Sequence, residues 1–490
     1  MQRDHFDIII IGAGINGAGI ARDAAGRGLK VALVEAGDLG GGTSSASTKL
    51  IHGGLRYLEF YEFALVRKAL AERETILSIA PHLASPMPFV LPLSQETRPS
   101  WMIRAGLLLY DRLAKRRSFP NSQTLSLRDD IAGHGLADRF TRAFRYWDGW
   151  VDDSRLVIAN CQDAARRGAE ILPRDGAVTA FHSEAGWLVA LESGRELYGN
   201  RIVNCTGPWA EDVAKTVLGL NDAPRVNLVQ GAHIVVPRAG RQRDAYMLQQ
   251  PDGRIIFVIP FKERYSLIGT TETQVSDAAD PQITEGEIDY LLAAANRYLR
   301  RELAREDIVA SFAGIRPLVL EEGKGARETS REWKFFQHPG VNATTVIGGK
   351  LTTYRLLAEA LLAELYPETA PWTADQTLPG GDIPRSQNRP PHEDFRAWTK
   401  WLCGRFPDHD PDLVGRFASL YGTRAEALLA GGVGRNLGGI FEAEVDYLVA
   451  EEWARTAEDI LWRRTKLGLS APPEAADNIE RHIRASYTPS

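Results

Sequence analysis

Cysteine is scarce in this sequence of 490 residues, with only Cys161, Cys205 and Cys403 present and no CxxC pair among them. Disulfide frameworks, structural zinc sites and cysteine-ligated iron–sulfur clusters need cysteines at close spacing, so the sequence argues against all three. Few and scattered cysteines are typical of the reducing cytosol. We therefore expect a cytoplasmic chain without a bound metal.

Long apolar runs are also missing. No uninterrupted apolar segment reaches the roughly 18 residues that a membrane-spanning helix needs. The first residues carry charges before a short apolar run and then glycines, which is unlike a signal peptide. We expect a protein that is soluble or sits on a membrane surface.

An excess of positive charge is absent as well, since 58 basic residues face 63 acidic ones and the formal net charge is −5. This balance argues against a general nucleic-acid-binding protein. The hydrophobic share of 44% and charged share of 25% are ordinary for a globular protein. The length suggests about three domains.

Strand and helix patterns alternate at the start of the chain. Residues 7–11 form an apolar run typical of a buried strand, residues 14–28 a helical stretch, and residues 30–35 a second strand. This βαβ unit predicts an α/β fold with a parallel sheet. The middle, about 175–275, reads as strands, and a later strand precedes a helix over 351–365.

A proline-rich segment, residues 367–391, follows that helix. It holds six prolines, a density that no helix interior tolerates, and we place a domain boundary there. Beyond it, apolar residues recur at helical spacing, and Thr456 with Asp459 resembles a capping box at a helix start. The sequence thus predicts an all-helical C-terminal domain.

The sharpest motif is GAGING at residues 12–17, which follows the first strand and opens the first helix. Gly12 permits a tight turn, Gly14 lets the backbone approach a pyrophosphate, and Gly17 lets helix and strand pack closely. Free N–H groups at the helix start then face the anion. Glu35 ends the second strand, where it can accept hydrogen bonds from a ribose. The motif predicts a dinucleotide site, with a purely structural glycine turn as the alternative.

Two later segments favour FAD over NAD. Residues 201–210 are a strand ending in Thr206 and Gly207, where backbone passes close to a large ligand. Residues 346–354 combine a strand, a glycine pair and a helix start, whose N–H groups suit the negative charge of a reduced flavin. Either of these two segments, taken alone, could be an ordinary loop without a ligand. No second glycine fingerprint follows another strand, so no NAD(P)H domain is evident.

A polar run after Glu35 completes the expected cofactor site, although such a run is ordinarily a solvated loop. The expected FAD-binding residues are Gly12, Gly14, Asn16, Gly17, Glu35, Thr43, Ser44, Ser45, Ser47, Lys49, Leu50, Thr206, Gly207, Gly348, Gly349, Lys350, Leu351 and Thr352.

Several segments together resemble a known family. They are TSSASTKLIHGGLRYLE at 43–59, NCTGPW, GAHIVVPR, IGTTE, AGIRPL and GGKLTTYR. With the glycine fingerprint, they resemble FAD-dependent glycerol-3-phosphate dehydrogenase of the aerobic, single-subunit bacterial type, within the D-amino-acid-oxidase-like flavoprotein superfamily. The resemblance covers nearly the whole chain.

The resemblance implies a Rossmann-like FAD-binding domain, an antiparallel-sheet substrate domain and the all-helical C-terminal domain. The expected bounds are 1–75, 150–212 and 340–366 for the first, 76–149 and 213–339 for the second, and 380–490 for the third. It also implies oxidation of sn-glycerol 3-phosphate to dihydroxyacetone phosphate by hydride transfer to noncovalent FAD. Electrons would pass to membrane quinone, with the protein peripheral on the inner face of the cell membrane. The oligomeric state, a homodimer included, stays open.

A phosphate substrate needs cationic side chains. We expect Arg56 and Arg316 to clamp it, because a guanidinium fork matches phosphate oxygens. Arg316 could instead face the C2 oxygen, and either arginine could make a structural ion pair. Tyr57 and Thr270 are further candidates for the substrate site.

Proton removal needs a base, and His233, within an apolar strand, is the best candidate. The alternative is a core histidine with a structural hydrogen bond. Lys350, at a glycine–helix junction, is expected beside the flavin or the substrate phosphate, with a solvated surface lysine as the alternative. Catalysis is thus assigned to His233, Arg316 and Lys350.

Two segments have the mixture of aromatic, aliphatic and basic residues that membrane-surface helices have. The first contains Arg98, Trp101, Met102, Ile103, Arg104, residues 107–110, Arg112 and residues 115–117. The second contains Trp462, Arg463, Arg464 and Lys466. Either could instead cover a core.

Other functions remain open at this point. A glycerol-3-phosphate oxidase would use oxygen with the same fold and substrate. A flavin amine or amino-acid oxidase would lack the phosphate clamp. A non-enzymatic flavoprotein scaffold and an NAD-dependent dehydrogenase are the more distant alternatives.

Overall fold

The computed structural model describes residues 5–94, 98–241, 243–319 and 332–487. Its first element is a six-stranded sheet whose strands are, in order, Lys334–His338, Ala343–Ile347, Ile202–Asn204, Ile8–Ile11, Val31–Glu35 and Glu170–Pro173. Neighbours are parallel except for the edge strand Lys334–His338. Every residue of Ile8–Ile11 is buried, as expected of a parallel strand that is covered on both faces.

Alternating side chains of that central strand enter two different cores. Ile8 and Ile10 pack with the helices Ile15–Gly26, Asp153–Arg166 and Tyr354–Leu365. Ile9 and Ile11 pack on the opposite face, because successive side chains of a strand point to opposite sides. That face is covered by the helix Ala210–Thr216 and a four-stranded sheet, His5–Phe6, Glu196–Gly199, Gly186–Leu191 and Ala177–Ser183.

A large, mostly antiparallel sheet forms the second body. In order it holds Thr273–Val275, Val226–Pro237, Tyr265–Gly269, Ile255–Phe261, Ala245–Gln249, Ala84–Pro92, Arg142–Val151 and Leu50–Ile51. Ala310–Val319 pairs with Val226–Pro237, and Gln123–Ser126 pairs with Arg142–Val151. The helix Glu285–Asn296 packs on one face, and the helices Phe63–Ile79 and Ser100–Arg112 contribute to the core on the other.

The chain ends in helices with a core of their own. They are Pro391–Arg405, Pro411–Tyr421, Ala425–Ala430, Glu442–Glu452 and Ala475–Tyr487, with a π-helix at Asp459–Arg464. Short 3₁₀ helices occur at Leu55–Phe60, Ile131–Gly135, Gly207–Trp209, Arg305–Asp307, Leu351–Thr353, Gly422–Arg424 and Leu467–Leu469.

The α/β class, the antiparallel second sheet and the helical C-terminal part agree with the prediction. The helix predicted from residue 351 begins as a 3₁₀ turn and becomes α-helical at Tyr354. Thr456 and Asp459 form both hydrogen bonds of a capping box, since each side chain accepts from the backbone N–H of the other residue. The helix that follows is a π-helix. The domain bounds given above remain our proposal. In the part of the chain that the structure describes, no helix is both long and apolar enough to cross a membrane.

Candidate active site

One cavity of about 1050 Å³ gathers residues from almost every part of the chain. It is lined by the glycine loop after Ile8–Ile11, by strands of the large sheet and by residues of the C-terminal helices. Its position at the carboxyl end of the parallel strands is where open α/β sheets bind nucleotides.

The glycine loop has the geometry that the sequence predicted. Gly12 has φ +100°, and a Cβ there would lie 2.7 Å from the carbonyl oxygen of Cys205. A Cβ on Gly17 would lie 1.9 Å from the carbonyl oxygen of Gly12. A side chain at either position would therefore collide with backbone, which explains both glycines physically.

Glu35 is held rigidly beside this loop. The backbone N–H of Ala13 donates to one carboxylate oxygen at 2.7 Å, and that of Gly37 donates to the other at 2.9 Å. Burial raises the pKa of Glu35 although both amides oppose this effect. Each oxygen keeps a lone pair, so the carboxylate can still accept a ribose hydroxyl.

The glycine pair before Lys350 lies against Asn16 of the first helix. Asn16 donates from Nδ2 to the carbonyl oxygen of Gly348 at 3.0 Å, while its own Oδ1 is buried without a hydrogen-bond partner in the described structure. Gly348 and Gly349 have φ values of +80° and +88°. An acceptor without a donor, beside a turn that only glycine adopts easily, fits the close approach of a polar cofactor.

Most of the predicted cofactor residues line the cavity. They are Gly12, Gly14, Asn16, Glu35, Thr43, Ser44, Ser47, Leu50, Thr206, Gly207, Gly348, Gly349, Lys350, Leu351 and Thr352. Gly17 lies behind the loop, in the packing role just described.

Lys49 and Ser45 are placed differently from the prediction. The ammonium group of Lys49 is buried against Asp153, with its two oxygens at 2.9 and 2.8 Å, and also donates to the carbonyl of Ser45. The Ser45 hydroxyl donates to the carbonyl of Gly42. Neither residue lines the cavity, so their expected hydrogen bonds to FAD are not supported. Lys49 instead ties the polar loop to the helix Asp153–Arg166.

The predicted substrate residues, which are far apart in sequence, meet in the same cavity. Arg56, Tyr57, His233, Thr270, Arg316 and Lys350 all line it. Arg316 donates from Nη2 to Thr270 Oγ1 at 3.0 Å, and Lys350 Nζ lies 4.1 Å from the centre of the Tyr57 ring. Three cationic side chains facing one cavity suit a phosphate dianion.

Gly231 makes the contact between Arg316 and Thr270 possible. A Cβ at this position would lie 2.6 Å from both Arg316 Nη2 and Thr270 Oγ1. The residue belongs to the strand Val226–Pro237, which pairs with the strand that carries Arg316. Sequence reasoning did not single it out, although a glycine inside a strand can signal a close approach.

His233 is buried at the cavity wall. Its Nε2 lies 3.0 Å from Thr48 Oγ1, its ring stacks on Phe312 at 4.9 Å, and its Nδ1 has no hydrogen-bond partner in the described structure. Burial, followed by the positive charges of Arg316 and Lys49, holds the pKa of His233 well below its usual value. The imidazole is therefore neutral at neutral pH, as a general base must be before it accepts a proton, and the same burial and charges make it a weaker base than a free histidine.

Several lining residues were not predicted. They are Thr48, His52, Arg174, Trp209, Arg254, Glu272, Thr456, Glu458, Asp459 and Arg463. Thr48, His52, Trp209 and Glu272 lie within segments quoted above for the family resemblance and could have been found from them. For the others no local motif indicates a contact with cofactor or substrate, because only the packing of distant segments brings them to the cavity. Glu272 is notable, since its carboxylate lies 3.9 Å from Arg316 Nη1.

The first predicted membrane segment lies partly on the surface, and its contact with a membrane stays a prediction. Within Ser100–Arg112, Trp101, Met102, Leu108 and Leu109 are exposed, whereas Ile103, Leu107 and Tyr110 are buried.

The second predicted membrane segment is wrong for its charged residues. Arg463, Arg464 and Lys466 form ion pairs with Asp38 and Asp152 of the α/β part. These three side chains join the C-terminal helices to the α/β part and are not available to contact a membrane.

The fold and the cavity define a dinucleotide-dependent oxidoreductase of the α/β type. The family model described as FAD dependent oxidoreductase matches residues 7–355, and the model for the C-terminal domain of alpha-glycerophosphate oxidase matches residues 371–485. The chain belongs to the FAD dependent oxidoreductase family. FAD is therefore its cofactor, as the sequence predicted.

Curated relatives agree over nearly the whole chain. D-erythritol 1-phosphate dehydrogenase of Brucella abortus is 46% identical, over 94% of each chain. Aerobic glycerol-3-phosphate dehydrogenase of Escherichia coli is 45% identical, also over 94% of each. These matches confirm the family resemblance predicted from the sequence.

A solved structure is similar as well. The glycerol-3-phosphate dehydrogenase from Bacillus halodurans, complexed with FAD, has a TM-score of 0.75 at 25% identity. The match covers 99% of this chain and 95% of that one.

Proposed function

We propose that this protein oxidises sn-glycerol 3-phosphate to dihydroxyacetone phosphate and passes the electrons to membrane quinone. The observation that carries the proposal is the meeting of Arg56, Arg316 and Lys350 with a neutral His233 in the FAD cavity. Relatives named as glycerol-3-phosphate dehydrogenases, at 43 to 45% identity, support the substrate.

FAD, when bound, supplies the acceptor for the hydride that leaves C2 of the substrate. The side chains supply the rest. Arg56 and Lys350 bind the phosphate, and Arg316, held by Thr270, faces the C2 oxygen or shares the phosphate. His233 takes the hydroxyl proton from that oxygen, because its imidazole is unprotonated before substrate binds. Tyr57, beside Lys350, adds a hydroxyl to the same end.

A four-carbon polyol phosphate is a second candidate substrate. The observation in its favour is the relative named D-erythritol 1-phosphate dehydrogenase, which is 46% identical over 94% of this chain. Both substrates are polyol monophosphates, so the same cationic cluster serves either.

The deciding experiment adds each substrate anaerobically to the FAD-loaded protein and follows the visible flavin band. Rapid bleaching by sn-glycerol 3-phosphate, with a KM well below that for D-erythritol 1-phosphate, supports the proposal. The reverse order would replace the substrate, and bleaching by an amino acid alone would replace the enzyme class. Arg56→Gln and Arg316→Gln should each lower kcat/KM about 10- to 150-fold, as expected for a lost charge-assisted hydrogen bond. Arg128→Gln, at an exposed position, is the control.

The electron acceptor is tested separately. Turnover with a quinone analogue but little peroxide in air supports the quinone-linked reaction. Stoichiometric peroxide would instead indicate an oxidase.

We also propose attachment to the inner face of the cell membrane through an apolar patch, defined as Tyr61, Phe63, Trp101 and Met102. Tyr61 is 80% exposed and Trp101 70% exposed. The ion pair Arg98–Glu59 holds the start of Ser100–Arg112 beside Leu55–Phe60, the 3₁₀ helix that carries Arg56 and Tyr57. Arg56 and Tyr57 line the cavity, so the patch is close to the end of the cavity that we propose for the substrate. Electrons would pass from the reduced flavin to quinone at this end.

Sedimentation with anionic lipid vesicles tests this attachment. Trp101→Ser combined with Arg112→Glu should lower the bound fraction several-fold while solution turnover persists. Trp401→Ser, at an exposed tryptophan of the C-terminal part, is the matched control. Equal binding of all three proteins would contradict the proposed surface.

A further inference from the structure

The C-terminal helices supply part of the wall of the FAD cavity. Thr456, Glu458, Asp459 and Arg463 line the cavity together with Glu35. They lie at the start of the π-helix Asp459–Arg464 or within it. Since Glu35 occupies the ribose position of the fingerprint, these residues stand at the adenosine end of the cofactor site.

Two arginines of this π-helix neutralise a buried carboxylate near Glu35. Arg463 Nε lies 2.5 Å from Asp38 Oδ2, and Arg464 binds Asp38 in bidentate fashion at 2.6 and 2.8 Å. Burial is the main cause of the raised pKa of Glu35, and the backbone hydrogen bonds oppose it. The charge of Asp38 is close enough to raise this pKa as well. Without the two arginines, the repulsion between these carboxylates would be uncompensated.

A second carboxylate links the π-helix to the six-stranded sheet. Arg174 directly follows the strand Glu170–Pro173, and its Nη2 lies 2.7 Å from both oxygens of Asp459. Arg463 also forms a hydrogen bond with Asp459. Burial opposes its ionisation, but the Arg455 amide and the guanidinium groups of Arg174 and Arg463 lower the pKa of Asp459 to about 2. Asp38, Arg463, Asp459 and Arg174 thus form a continuous charged chain beside the cavity.

Further buried ion pairs hold the C-terminal helices against the α/β part next to this charged chain. Lys466 donates to Asp152 at 2.5 Å, and Arg155 Nη2 lies 2.8 Å from Glu452 Oε1. All four side chains are at least nine-tenths buried. The contact between the C-terminal helices and the α/β part is therefore a rigid, specific interface.

We infer that the C-terminal domain is a clamp that retains FAD, with Arg463 as its principal contact at the adenosine end. Arg463 joins Asp38 to Asp459 and faces the cavity itself. Together with Arg464 it cancels the charge of Asp38 and so keeps Glu35 available as a hydrogen-bond acceptor, and it closes the wall across which the adenosine half would leave. The role belongs to cofactor retention and does not depend on which polyol phosphate is the substrate.

The test measures FAD release from the full-length holoenzyme carrying Arg463→Gln. Free FAD, detected by its fluorescence after dilution, should appear at least ten-fold faster than from the wild-type protein. The rise in Tm that added FAD gives to the FAD-stripped protein should shrink, because a ligand that binds less tightly stabilises less. Arg435→Gln, which breaks the exposed pair with Glu442 in the same domain, should change neither quantity.

Unchanged FAD release from Arg463→Gln would overturn the inference. An equal fall of Tm in the FAD-loaded and FAD-stripped forms would also overturn it, because Arg463 would then only hold the domains together. If Arg463→Gln does not fold, Arg174→Gln decides the question. The side chain of Arg174 is 37% exposed, and its loss should accelerate FAD release several-fold. Release at the wild-type rate would count against the clamp.

Discussion

The Thr48 hydroxyl and the His233 imidazole lie 3.0 Å apart, although they are 185 residues apart in sequence. Thr48 belongs to the polar run after Glu35, and His233 belongs to a central strand of the large sheet. This bond orients the ring that we propose as the base, and the stacking of the ring on Phe312 limits its tilt.

Thr48→Val should therefore lower kcat about five-fold, the equivalent of about 1 kcal/mol for one hydrogen bond. FAD content and the KM for substrate should change little, since valine keeps the shape of the side chain. Thr48→Ser retains the hydroxyl and should restore most of the rate. Steady-state kinetics of the three proteins would settle the matter, and equal kcat for valine and threonine would remove Thr48 from the positioning role.

Gly231→Ala should impair substrate binding without loss of FAD. The added methyl group would lie 2.6 Å from Arg316 Nη2 and Thr270 Oγ1, so the guanidinium must move. We expect kcat/KM to fall at least ten-fold, mainly through a higher KM. Gly286→Ala is the control, because nothing lies within 4 Å of a Cβ there. Wild-type kinetics for Gly231→Ala would show that the position of Arg316 is unimportant.

Lys49→Met should destabilise the protein, because it leaves the buried Asp153 without its closest cation. Breaking a buried pair from one side typically costs about 3–5 kcal/mol. Thermal unfolding should therefore occur several degrees lower, and adding Asp153→Asn should recover part of the loss. Lys30→Met, at an exposed site, should have little effect. Folded Lys49→Met should still bind FAD fully. A specific loss of FAD would instead support the original prediction that Lys49 binds the cofactor.

His82 should make stability depend on acid pH. Burial, with the charges of Arg155 and Arg424, lowers the pKa of His82 to about 3. The unfolded chain binds this proton near pH 6.5, so the stabilisation is complete above that pH and is lost progressively as the pH falls towards 3. At pH 5 the loss amounts to about 2 kcal/mol. The drop in Tm between pH 7.5 and pH 5 should be smaller for His82→Gln than for the wild type. His134→Gln, at an exposed histidine, should show the wild-type drop.

The sequence by itself determined the features that depend on neighbouring residues. The turn at Gly12, the packing of Gly17 and the acidic end of the second strand are local, because a few consecutive backbone angles and side chains define them. The helical C-terminal part and the capping pair of Thr456 and Asp459 are local for the same reason.

Only the tertiary structure decided which charged residues face the cavity and which are paired elsewhere. Lys49 and Lys350 each follow a polar or glycine-rich run, yet Lys49 is buried against Asp153 while Lys350 lies beside Tyr57 in the cavity. Arg463 resembled a membrane contact in sequence, yet it pairs with Asp38 and lines the cavity. A cation pairs with whichever carboxylate the fold brings within a few ångströms, and that distance depends on the packing of segments hundreds of residues apart.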